Sequence, residues 1–162
     1  MSDMIFNTPF GLRLGIDAVV AEIVRFMRED TKRQYKLIIG SDSERRENDC
    51  ADFVTAIVVH RVGNGGRYFW RRLELDKIHS LRDRILQEVM LSLEVAQKTL
   101  AVIQNLKEPK INFDFEIHID VGENGETKTM ITEVVGMVRA YNFEARTKPN
   151  SYAASKVADR HV

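Results

Sequence analysis

Apolar and polar positions repeat with two different periods along this chain, and the places where the period changes mark its elements. Val19, Val20, Ile23, Val24 and Met27 recur every three or four residues, which predicts a helix over residues 16–28. Ahead of it, residues 1–15 carry Pro9 and Gly11 and are expected to be irregular. Tyr35 to Gly40 is a short apolar run closed by glycine, read as a buried strand with Ser41, Asp42, Ser43 and Glu44 at its C-terminal end. Residues 44–49 are polar and read as a loop. Phe53 to Val62 and Tyr68 to Leu75 read as strands, and Gly63-Asn64-Gly65-Gly66 between them is a hairpin signal.

Ser80 is placed to cap a long helix whose apolar stripe is Leu81, Ile85, Val89, Leu93, Ala96, Leu100 and Ile103, ending near Asn105 before Pro109. Phe113, Phe115, Ile117 and Ile119 alternate with polar residues, which predicts a strand ending at Asp120. A turn at residues 122–125, a helix over 127–140, a strand over 142–148 and a last helix over 151–161 complete the pattern. This order predicts an α/β fold over residues 16–162 as a single domain. Its sheet is five-stranded and mixed, three antiparallel meander strands plus two parallel ones, flanked by helices.

Composition narrows the setting. Apolar residues make up 44% and charged residues 30%, enough for a core and too apolar for a disordered chain. No apolar run reaches the ~20 residues of a membrane helix, and no secretion signal is read at the start. Cys50 is the single cysteine, which excludes an intramolecular disulfide and fits a reducing cytoplasm. Basic and acidic residues number 24 each, so any nucleic-acid contact is expected from a local basic patch. A neutral surface also leaves self-association open.

Candidate chemistry rests on carboxylates. Asp42 and Asp120 each close a predicted strand, and ligands of open α/β sheets bind beyond the carboxyl ends of strands. Two such carboxylates on neighbouring strands repel unless a cation lies between them, and a hard divalent ion suits their oxygens. Glu88 lies at the edge of the long helix's stripe, where a solvated flank is the simpler account; Glu94 competes with it and pairs most simply with Lys98. Asp159 sits in the last helix as an ordinary surface position. None of the four histidines has metal-ligand spacing to another.

Taken together, these segments resemble the ribonuclease H-like superfamily. Ile38-Ile39-Gly40-Ser41-Asp42-Ser43 resembles its first-strand motif, Ile117-His118-Ile119-Asp120 its fourth-strand motif, and Ser155-Lys156-Val157-Ala158-Asp159 its terminal-helix motif. Gln87-Glu88-Val89 falls where the superfamily places a glutamate on its first core helix. More narrowly the chain is similar to the bacterial YkuK-type family of RNase H-related nucleases, over nearly all of it after residue 15. The resemblance implies a nuclease in which Asp42, Glu88, Asp120 and Asp159 hold two Mg²⁺ or Mn²⁺ ions about 4 Å apart. Asp42 would bridge both. Arg45, Arg46, Lys148, Lys156 and Arg160 would form a basic rim gripping the phosphates of RNA, DNA or a hybrid.

Two other readings accompany this one. The Asp-x-Gly…Thr pattern from Asp120 to Thr127 is similar to phosphate loops in the sugar-kinase and actin branch of the same superfold. A degenerate site would instead leave a non-catalytic module binding nucleic acid or protein.

Overall fold

Three long strands form the middle of the sheet, the first two buried along most of their length. They are β3 (Tyr35–Arg45), β4 (Ala51–Arg61) and β5 (Gly66–Leu75), paired antiparallel in sequence order. The computed structural model describes residues 4–107, 111–151 and 161. Two short strands, β6 (Asp114–His118) and β7 (Glu144–Arg146), continue the sheet in parallel beside β3. These five are the predicted strands, with the predicted mixture of antiparallel and parallel pairs.

Among the described residues the sheet has seven strands, in the order β2-β1-β5-β4-β3-β6-β7. The two additional ones, β1 (Ile5–Asn7) and β2 (Arg13–Gly15), form a hairpin in the segment expected to be irregular. Its bend closes through Thr8, whose carbonyl accepts from Gly11 N at 3.1 Å and whose Oγ1 accepts from Leu12 N at 3.0 Å. Phe6 is fully buried, and that apolar anchor seats the hairpin on the edge of β5.

Side chains of a strand point alternately to its two faces. Leu37 and Ile39 of β3, Ile57 and Val59 of β4, and Ile117 of β6 share one face and pack into the main core. That face receives α1 (Ile16–Arg28), α2 (Leu81–Gln104) and α3 (Ile131–Ala140), through Ile23 and Met27, Val89 and Leu93, and Val134 and Val138. The opposite face carries Val54, Ala56 and Trp70. There the His161 ring stacks on Trp70 with centroids 4.2 Å apart and an interplanar angle of 11°. The helix predicted over 127–140 starts later, because residues 128–130 form a 3₁₀ turn first.

Ser80 caps α2 as predicted, its Oγ accepting from Asp83 N at 3.1 Å, while Asp83 Oδ2 accepts from His79 N at 3.0 Å. The cap is exposed, so the loss of Ser80→Ala is expected to be about 1 kcal/mol of unfolding free energy in urea titration. A change below a few tenths would show that packing alone holds this helix start.

Candidate active site

The parallel ladder between β3 and β6 ends at the pair Gly40–His118. Asp42 and Asp120 each lie two residues beyond that pair, at the same end of these two neighbouring strands. Asp42 does not end its strand as expected. The strand runs on to Arg45, because Ser43, Glu44 and Arg45 still pair with Phe53, Asp52 and Ala51 of β4. Asp42 is half-buried, and its Oδ1 accepts from Ser43 N at 2.8 Å. Asp120 follows β6 with its side chain 26% exposed.

Glu88 reaches this corner from α2. Its side chain is 5% exposed, which overturns the reading of a solvated flank. Ser43 Oγ donates to Glu88 Oε1 at 2.6 Å, and Glu88 Oε2 is buried with no hydrogen-bond partner among the described residues. Burial pushes the Glu88 carboxyl up to about 8; the Ser43 hydrogen bond opposes the rise, the charges of Asp42 and Asp120 add to it, and Arg84 opposes it. Glu94, the competing candidate, is exposed.

Below the carboxylates lies a narrow cleft lined by Ser41, Glu88, Val89, Ser92, His118, Ile119 and Asp120. Ser41 Oγ is hydrogen-bonded to Thr55 Oγ1 at 2.8 Å and Ser92 Oγ at 2.7 Å, tying β3, β4 and α2 together directly under the site. This hydroxyl bridge and the Ser43–Glu88 bond escape sequence reading, since they join residues 51 and 45 positions apart.

The basic residues are placed unequally. Arg45 is exposed and stands 3.9 Å from Asp49. Arg46 is committed elsewhere: its Nε is 2.6 Å from Asp52 Oδ2, and Arg72 binds the same buried carboxylate. Both guanidiniums hold the Asp52 carboxyl below its ordinary value, Arg72 most strongly. Lys148 Nζ stands 2.9 Å from Asp120 Oδ1, an ion-pair distance, although the angle does not suit a hydrogen bond. Lys148, a candidate for the phosphate rim, thus lies against one of the candidate carboxylates. Asp159, Lys156 and Arg160 lie outside the described residues.

Arg84 was not anticipated. It precedes Glu88 by one helical turn, and with Arg45, Ser80 and Glu126 it lines a cavity of about 210 Å³. The four-residue spacing to Glu88 was the available signal. In the loop that follows Asp120, Thr127 Oγ1 accepts from Gly122 N at 3.2 Å.

Among the described residues, no group of three or more His, Cys, Asp or Glu is drawn together as a finished metal site. The donors present are nonetheless carboxyl oxygens alone, with one orphaned oxygen on the buried Glu88 and the charges of Asp42 and Asp120 acting on it. That chemistry fits a hard divalent cation rather than a soft one. No described helix is long and apolar enough to cross a membrane.

Comparison with known proteins agrees with the fold. A family model described as "Ribonuclease H-like" matches residues 18–162. The chain is similar to "Uncharacterized protein YkuK" of Bacillus subtilis (strain 168), 33% identical over 151 residues, covering 88% of this chain and 87% of that protein. No solved structure matches it significantly.

Proposed function

This chain belongs to the ribonuclease H-like family, and from that premise we propose that it is a metal-dependent nuclease hydrolysing phosphodiester bonds of RNA or DNA. One observation carries the reading: Glu88 is a buried carboxylate, pushed up to about 8, set against Asp42 and Asp120. A fold gains nothing in stability from three acidic groups crowded at one corner, one of them desolvated. Such groups are kept where a cation and a substrate use them.

Asp42, Glu88 and Asp120 would hold Mg²⁺ or Mn²⁺, with Asp159 as the fourth carboxylate implied by the family motif. When bound, the two ions expected there neutralise the carboxylates and supply Lewis acidity toward a phosphodiester. The protein's own part is orientation. Ser43 fixes Glu88 by its 2.6 Å hydrogen bond and donates its backbone N–H to Asp42, so one residue aims both carboxylates. The Ser41 bridge keeps α2 against β3 beneath them. Arg45 and Arg84 stand beside the corner as candidates for backbone phosphates, which supports nucleic acid as the substrate class despite zero net charge.

A second reading, a non-catalytic nucleic-acid- or protein-binding module, is favoured by one observation: Asp120 already has a cation in Lys148. Labelled RNA–DNA hybrid, single strands and duplexes incubated with Mn²⁺ or with EDTA separate the two. Cleavage that EDTA abolishes is the expected result. Binding without cleavage of any of them, in Mn²⁺ or Mg²⁺, would sink the nuclease and leave the module.

A further inference from the structure

Lys148 is held over Asp120 by more than its charge. Its backbone N–H donates to Val121 O at 2.8 Å, which fixes the strand-end segment beside the loop leaving Asp120. Its aliphatic stem then lies across Gly122. A Cβ added to Gly122 would meet Lys148 Cβ at 3.0 Å and Lys148 Cδ at 3.4 Å, so the missing side chain provides the lysine's path. At the end of that path Nζ stands 2.9 Å from Asp120 Oδ1, with the lysine side chain 56% exposed and the aspartate 26%.

We propose that Lys148 is a built-in counter-ion, a positioning residue that neutralises Asp120 and competes with the divalent cation for it. The inference rests on the nuclease reading above and adds to it a threshold: the cation must displace an ammonium before Asp120 can serve it. An ammonium is a single point charge without Lewis acidity. It therefore offsets the negative charge of Asp120 that bears on Glu88 without supplying chemistry. It gives Asp120 a partner in a corner where, among the described residues, no group of three metal ligands is drawn together. Because the pair is partly exposed, its strength is modest and displacement remains within reach of ordinary cation concentrations.

The test is Mn²⁺ affinity of the full chain, read as free Mn²⁺ by electron paramagnetic resonance and independent of any cleavage. Lys148→Met is expected to bind Mn²⁺ about fivefold more tightly than wild type, the scale of a partly exposed ion pair. Lys148→Arg keeps the charge and is expected to stay near wild type. Gly122→Ala leaves the lysine in place but blocks its stem, so it should tighten Mn²⁺ in the same direction. The double variant should equal Lys148→Met alone, because both act through one contact. Unchanged or weaker Mn²⁺ affinity in Lys148→Met would overturn the inference while leaving the carboxylate centre standing. Mn²⁺ affinity in wild type that ignores Asp120→Asn would overturn the centre itself, and this inference with it.

Discussion

Asp42→Asn is expected to lower metal-dependent cleavage by about a thousandfold while leaving the fold unchanged. The size follows from losing a charge at the reacting centre, where a single electrostatic partner is worth about 10²–10³ in rate. The specificity follows from the local geometry. Asp42 Oδ1 accepts the Ser43 N–H at 2.8 Å, and an asparagine carbonyl oxygen keeps that bond. Asp42 pairs with Val54 inside a long antiparallel ladder, whose backbone bonds do not depend on the side chain. Removing its charge also removes one of the groups that repel Glu88, so the folded state is not expected to suffer. The measurement is an initial cleavage rate in Mn²⁺ beside a thermal melt. A variant that melts like wild type yet keeps a tenth or more of the rate would place Asp42 outside the reacting centre. Asp120→Asn is expected to behave alike in rate, with the added consequence that Lys148 loses its partner.

How much of this was legible in the chain depends on the range of each interaction. Leu37, Ile39, Ile57, Val59 and Ile117 announce the sheet because alternation is a local signal repeated over many residues. The β1–β2 hairpin was invisible because each strand has three residues, too few to show a period, and its pairing to β5 is a tertiary event. Asp42 was recognisable from its motif, but its place inside β3 was not: the polar Glu44 and Arg45 look like the start of a loop and are held in the sheet by β4. Glu88 shows the sharpest contrast. Its helical position alone favours solvent, whereas Ser43, 45 residues away, draws it into the interior. Arg46 and Lys148 read as a phosphate rim by type. The fold gives each an internal carboxylate first, Asp52 and Asp120, because pairing partners are chosen in three dimensions.

Glu88→Gln is expected to stabilise the metal-free protein by roughly 5 kcal/mol at pH 9 and to change little at pH 4. The sign comes from the proton. In the unfolded chain this carboxyl ionises near 4.5, whereas burial beside Asp42 and Asp120 lets the folded chain keep its proton up to about 8. Between those values unfolding releases a proton, so stability falls as pH rises; the contribution is whole below 4.5 and gone above about 8. Glutamine imitates the protonated side chain. Its carbonyl accepts from Ser43 Oγ as Glu88 Oε1 does at 2.6 Å, and it never ionises. Wild type measured by urea unfolding in EDTA should therefore lose stability from pH 5 to pH 9, and the variant should lose much less. Parallel profiles would show that Glu88 is not the buried, proton-holding group described. Adding Mn²⁺ should reverse the ranking at pH 8, since a ligand that binds only the folded state stabilises it and only glutamate offers that ligand a full charge. A residue whose replacement improves the empty fold and impairs the loaded one is kept for what it binds, and that reversal would tie Glu88 to the cation independently of any cleavage assay.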